Sequence, residues 1–263
     1  LNLYEIILIL IIFILGSVIG SFLNVCIYRI PAGISIVTPR SRCGSCGRTL
    51  SSFDLIPILS WIFLRGKCRT CGAAISPRYA LVEALQGFLY VAVFYQFGLN
   101  VVTPVMWLFI SILTVVFFID LDHQIIPNKV VLFGLVSGLI PAVLYWMGHY
   151  PIYRVDVWYE PFLGLSVPFL LMLGVALISV LFFKQSGIGM GDVKIYAPIG
   201  LFIGWKLSLM SIWFAFFFGG LFGLLWIFVF KRDKKEMIPF APFIVIGVLV
   251  TLFWGDGIMQ WLY

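Results

Sequence analysis

IYAPIGLFIGWKLSLMSIWFAFFFGGLFGLLWIFVF, residues 195–230, is apolar almost throughout, with Gly204, Lys206 and Ser208 as its one soft point. A hydrocarbon core roughly 30 Å thick takes about 20 helical residues at about 1.5 Å each. The stretch is too long for one crossing and predicts two short spans meeting near Gly204. Working outward, the same criterion finds apolar runs at 3–28, 79–98, 101–119, 130–148, 162–183 and 238–262. The expected fold is an all-α polytopic membrane protein with about eight transmembrane helices. Composition agrees: 62% hydrophobic and 11% charged residues over 263, with a mean hydropathy of +1.12, exclude a soluble globule. The first run carries Glu5 and no basic lead-in, so it reads as a retained span and not as a secretory signal.

Short cytoplasmic loops accumulate Lys and Arg, which orients the spans. With the end of the first span inside, only Arg154 and Lys206 of the seventeen basic residues fall in outer segments. The inner segments hold the others, including Arg29, Arg40, Arg42, Arg48, Arg65, Lys67, Arg69, Arg78, Lys129, Lys184, Lys194 and the cluster Lys231, Arg232, Lys234 and Lys235. Eight spans with both termini outside satisfy every loop. The net charge of +6 then reflects topology and attraction to anionic membrane lipid, and no aromatic-plus-basic strip points to nucleic acid. Tyr153 and Trp158, beside Pro151, Arg154, Asp156 and Glu160 in an outer loop at 149–161, suit the headgroup layer as anchors.

Residues 29–78, between the first two spans, form the one polar segment of domain-like length. They divide the chain into a first helix at 1–28, this small cytoplasmic segment, and a membrane core at 79–263. The segment carries Cys43, Cys46, Cys68 and Cys71 as two Cys-x-x-Cys pairs, each with glycine at its turn. Such knuckles let four thiolates surround one tetrahedral Zn²⁺, and a closed four-sulfur site stabilises a fold instead of activating water. Disulfides or redox thiols are the alternative, disfavoured in a reducing compartment. Cys26, inside the first span, reads as a small buried apolar residue. No internal repeat is evident.

An ionised carboxyl in lipid costs about 2.5–3.5 kcal/mol even on lenient insertion scales. Asp54, Asp233 and Glu236 fall in inner loops, where solvent accounts for them, whereas Glu83, Asp120, Asp122 and Asp192 lie at or near inner span ends. Asp120 follows an apolar run and precedes a loop closed by Pro127 and Asn128; Asp192 closes the tetrad Gly189-Met190-Gly191-Asp192. Two carboxyls at one depth can share a proton, one drawing a proton from water while the other donates to a carbonyl oxygen. Gly189 and Gly191 would let a substrate backbone approach. Solvated capping is the plainer alternative for both aspartates, and for Glu83 a structural pairing with an arginine of the cysteine segment. His123 and His149 offer no catalytic set, and no nucleophile elbow occurs.

Taken together these pieces resemble the bacterial type IV prepilin peptidases, a family of GxGD aspartyl proteases that are also N-methyltransferases. The resemblance rests on Gly20-Ser21-Phe22-Leu23-Asn24-Val25, Tyr28-Arg29-Ile30-Pro31, both cysteine pairs, Ser76-Pro77-Arg78-Tyr79 with Glu83, Asp120-Leu121-Asp122 with Pro127-Asn128, and Gly189-Met190-Gly191-Asp192-Val193-Lys194. It implies cleavage of a prepilin or pseudopilin leader at the cytoplasmic edge of the inner membrane. The implied catalytic pair is Asp120 and Asp192, with Gly189, Gly191, Asp122 and Lys194 in support and Asp122 the rival for the first role. It also implies methylation of the new amine from S-adenosylmethionine, with Gly66 and Glu83 linked to that activity. A transporter relaying protons through acids is the alternative from another class, expected to hold them mid-span. A scaffold docking partners through the cysteine segment would leave the aspartates idle.

Overall fold

The computed structural model describes residues 2–153, 157–183, 188–228 and 238–262. Arg154, Asp156, Lys184, Gly187 and the run Lys231, Arg232, Asp233, Lys234, Lys235 and Glu236 lie outside the described residues. Every element longer than a turn is helical: α1 (Leu3–Arg29), α2 (Leu59–Phe63), α3 (Arg78–Phe97), α4 (Val102–His123), α5 (Asn128–Ser137), α6 (Leu139–Trp146), α7 (Glu160–Phe183), α8 (Met190–Phe228) and α9 (Ala241–Leu262). Among the described residues six helical segments, with α5 and α6 taken as one, are long and apolar enough to cross a membrane. Counting α9 and dividing α8 at its break brings the apolar segments to the expected eight. Two compact units divide the chain between Thr103 and Pro104.

In the first unit α1 begins on a capping box in which the Asn2 side chain accepts from the Glu5 amide and Glu5 accepts from the Asn2 amide. Two orphan donors of the helix end are thereby satisfied, which gives Glu5 a structural task. In hydrocarbon, helices associate by close packing of small residues and not by the hydrophobic effect. Gly16 and Gly20 of α1 and Gly87 of α3 supply that packing: a methyl group added at Gly16 would come within 2.9 Å of the Gly87 Cα, and one at Gly20 within 2.8 Å of the Glu83 Cα. The connection between the two helices holds a 3₁₀ turn (Ser52–Leu55), α2 and two isolated antiparallel bridges, Arg42 with Thr49 and Lys67 with Ala74. Each bridge closes one cysteine knuckle, so the segment does contain a short structural repeat. It escaped the sequence because only the cysteines and glycines are shared by the two copies.

In the second unit α4 is the most enclosed helix, with Phe109 stacked on Phe202 of α8 at 4.6 Å between ring centroids. α8 packs along α7 and α9. Its break falls at Gly204, whose φ of 76° is left-handed and suits a residue without Cβ. A break inside a span frees backbone groups that water cannot reach, and each needs a partner. Tyr150 donates its hydroxyl to the Phe202 carbonyl at 2.7 Å, and Tyr153 donates to the Leu201 carbonyl. On the far side of the break, Glu160 accepts from the Trp205 indole at 3.1 Å and from the Trp205 amide. Tyr153 is therefore not the headgroup anchor expected from its loop position, and Glu160, only 1% exposed, is not a solvated outer acid. Trp158 stays exposed, as an interfacial aromatic would. Pro168 and Pro198 sit inside α7 and α8 without a local departure from helical geometry; Gly204 is where α8 breaks.

Candidate functional site

Asp120 and Asp192 both belong to the second unit. Each lies within a helix rather than in a loop, Asp120 in the last turn of α4 and Asp192 in the first turn of α8. Both are buried, at 4% and 8% exposure, so neither is a solvated cap. The two carboxyls are close enough to interact electrostatically. Asp120 Oδ2 accepts from the backbone N–H of Ala241 at 2.9 Å, and Asp192 Oδ2 accepts from the backbone N–H of Gly189 at 3.2 Å. Asp122, two residues on, is exposed, as a group on the opposite side of a helix must be.

The strands of chain carrying the pair touch through Gly191. A methyl group there would sit 3.0 Å from Ile126 Cβ, so the missing side chain makes room for the loop that follows Asp120. Gly189 is exposed, and a methyl group there would lie 3.0 Å from Asp192 Oδ2. Nearby, Lys194 Nζ donates to Asn128 Oδ1 at 3.2 Å and ties α8 to the start of α5. Pro127 precedes α5 in extended geometry, the position expected of it from the sequence.

The first unit holds the other constellation. The four sulfurs of Cys43, Cys46, Cys68 and Cys71 lie within 4.8 Å of one another, with Cys43 and Cys71 at 3.9 Å. Four thiolates about 2.3 Å from one tetrahedral ion stand about 3.8 Å apart, so the cage fits zinc. Each knuckle is built alike: the Cys43 amide donates to Arg48 and the Gly47 amide to Cys43, while the Cys68 amide donates to Ala73 and the Gly72 amide to Cys68. Gly47 and Gly72 share a φ of 70°. The amide hydrogens of Cys46 and Ser45, with help from Cys68, draw the Cys43 thiol down to about 6. The Ala73 amide favours the Cys71 thiolate, but the hydrogen bond that the Cys71 thiol donates to Cys68, with burial, outweighs it and pushes that thiol up to about 11. Crowded thiols that cannot all ionise alone are what a divalent cation resolves, with release of protons.

Asp54 is the residue whose role its loop position concealed. Its side chain is 5% exposed and pairs with Arg48 and, at 3.1 Å, with Arg69, one arginine from each knuckle. Arg48 also donates to Thr70 at 2.6 Å. Burial opposes ionisation of Asp54, but the Ser51 amide and hydroxyl and the two arginines overcome it and hold the carboxyl below its usual range. The spacing Ser51-x-x-Asp54 signals a capping box and so the bond to the Ser51 amide, but not the two arginines. Glu83 is 8% exposed; its Oε2 accepts from the Ile58 amide at 2.7 Å, and the Ser21 hydroxyl donates to its carboxylate. Gly66, at φ +65°, lies under the Trp61 ring, 2.9 Å from where a methyl group would meet Cζ2, and Trp61 donates to the Ile75 carbonyl at 3.0 Å.

Residues 14–97 match the bacterial peptidase A24 N-terminal domain, and residues 107–224 match the type IV leader peptidase family. A prepilin leader peptidase/N-methyltransferase of Bacillus subtilis is 35% identical over 95% of this chain and 96% of its own length. The chain belongs to the bacterial type IV leader peptidase family. A second such leader peptidase/N-methyltransferase, from Myxococcus xanthus, is 38% identical over 81% of this chain and 61% of its own length. A third, from Stutzerimonas stutzeri, is 32% identical over 93% and 90%. No solved structure matches. The two family matches fall on either side of the division between the compact units, so the cysteine cage and the aspartate pair each sit in a separately recognised part of a leader peptidase. Acids at helix ends, and membership of a peptidase family, leave the transporter reading without support.

Proposed function

We propose that this chain removes the leader peptide from type IV prepilins or pseudopilins at the cytoplasmic edge of the bacterial inner membrane and then N-methylates the exposed residue. The observation that carries the protease half is the pair of buried, electrostatically interacting carboxyls, Asp120 and Asp192, in a chain of this family. Two carboxyls in one apolar site hold a single proton between them. The ionised member takes a proton from water as its oxygen bonds to the scissile carbonyl carbon, and the protonated member donates to the carbonyl oxygen. Collapse of the tetrahedral species breaks the C–N bond. The proton taken from water goes to the leaving amine, and the hydroxyl proton returns to the other carboxyl, restoring the pair. Gly189, Gly191, Asp122 and Lys194 support this loop, Gly191 by admitting Ile126 and Lys194 through Asn128.

In this reading residues 1–28 anchor the chain, 29–78 form a zinc-held segment and 79–263 form the protease core. Zn²⁺ in the four-sulfur cage holds the two knuckles together, assisted by Asp54 between Arg48 and Arg69. S-adenosylmethionine supplies the methyl group. Gly66 and Glu83 serve methylation by shaping the segment, Gly66 beneath Trp61 and Glu83 on the Ile58 amide.

The whole reading is tested by mass spectrometry of a prepilin co-produced with the chain. Loss of the leader mass and gain of one methyl are expected; an intact prepilin refutes the protease and an unmethylated product refutes the second activity. Gly66→Ala separates the halves. A side chain at that φ is strained and meets the indole, at a cost of about 1 kcal/mol or more. Cleaved but unmethylated product should accumulate, and equal loss of both activities would deny Gly66 a methylation-linked role.

A further inference from the structure

We infer that the start of α9 divides the labour within the aspartate pair: the backbone N–H of Ala241 holds Asp120 as the ionised, water-activating carboxylate and leaves the shared proton on Asp192. This rests on the paired-aspartate reading given above and adds an assignment that reading leaves open.

The contact joins residues 121 positions apart, and both partners are buried, Asp120 at 4% and Ala241 at 0%. Ala241 is the first residue of α9, so its N–H belongs to the set that no helix can satisfy internally. The next free amides turn back on their own helix end, with Phe243 and Ile244 both donating to the Phe240 carbonyl. A helix start carries partial positive charge, and a bond from N–H to an ionised oxygen is roughly twice as strong as one to a neutral acceptor. An amide hydrogen also cannot rotate away or accept, so it opposes a proton on the oxygen it faces.

Asp192 has a donor too, but a poorer one. The Gly189 N–H approaches at 3.2 Å against 2.9 Å, and Gly189 is exposed, so water competes for it. A bond in a dry, low-dielectric setting is worth more than one open to solvent. Among the described residues no cation pairs with either carboxyl. Among the described residues the charged or titratable groups on the surrounding turns are Asp122 and His123 of α4, Lys129 of α5, and Lys194 and Tyr196 of α8; α9 contributes none in its first turn. Asp122, His123 and Lys129 are exposed, Lys194 is engaged with Asn128, and Tyr196 interacts with Asp192. Besides Tyr196 on the Asp192 side, the backbone amide is what distinguishes the two acids. Asp120 Oδ1 is left to take the proton of water, and Asp192 donates to the scissile carbonyl.

Ala241→Pro removes this one hydrogen, and proline is well tolerated at the first position of a helix. The kcat for leader cleavage should fall about 10- to 100-fold with KM unchanged, and the acid limb of the kcat profile should move to higher pH. Ala241→Gly keeps the N–H and should keep the acid limb where it stands in the unsubstituted protein, whatever its rate. Infrared difference spectra give a readout independent of folding of the proline variant: the protonated-carboxyl band should lose one group in Asp192→Asn and none in Asp120→Asn. An unshifted acid limb in a folded Ala241→Pro protein, or band loss in Asp120→Asn instead, overturns the assignment. Cleavage surviving in both asparagine variants overturns the paired-aspartate reading itself, a separate result.

Discussion

Asp120→Asn and Asp192→Asn should each reduce leader cleavage by about 10²–10⁴-fold, the usual worth of a positioned acid or base, while methylation of an already cleaved peptide continues. The asparagines keep shape and the hydrogen bonds accepted from Ala241 and Gly189, so the loss isolates proton transfer from folding. Because the two groups act on one proton, the double variant should be scarcely worse than either single one. Asp122→Asn, in an exposed side chain two residues away, should cost far less. A fixed-time assay of the prepilin by mass, on chains matched for amount in membranes, gives the comparison. Full cleavage by either single variant would remove that residue from the mechanism, and a larger loss at Asp122 than at Asp120 would transfer the first role to the rival.

Removing the proposed Zn²⁺ is the second large perturbation. A segment of some fifty residues has little core, and structural zinc sites supply about 10–16 kcal/mol of apparent folding energy in small modules. Cys68→Ser, or exhaustive chelation, should cost the bound zinc, expose the chain around residues 40–75 to proteases and abolish methylation. The sulfur cage explains the size of the effect: Asp54 is buried, but its partners Arg48 and Arg69 and the Arg48–Thr70 bond are partly open to solvent, which screens each contact. Metal analysis beside limited proteolysis measures it. Zinc-free protein with an unchanged digestion pattern would exclude the structural ion. Thiols that resist alkylation until reduced would establish the disulfide alternative.

Much of the architecture was readable from the chain because lipid imposes a coarse rule. A backbone with no water around it must be helical, so spans declare themselves by length and apolarity, and even the break in residues 195–230 is marked by Gly204. The cysteine cage was equally legible, since ligand chemistry demands a fixed spacing. Interior partners were not. Tyr150, Tyr153 and Glu160 look like ordinary loop residues, yet they satisfy the backbone groups around Gly204. Asp54 looked solvated and clamps two arginines.

Sequence alone was enough to mark helical spans and the two cysteine knuckles and to put forward Asp120 and Asp192 as candidates, because each depends on residue type at short range. Only the tertiary fold decided that both aspartates are buried, that Gly191 admits Ile126, and that Ala241 meets Asp120. Alanine carries no polar side chain to advertise that contact. Its backbone N–H becomes a distinctive donor only when the start of a distant helix is packed against a carboxyl that has no other hydrogen-bond donor among the described residues.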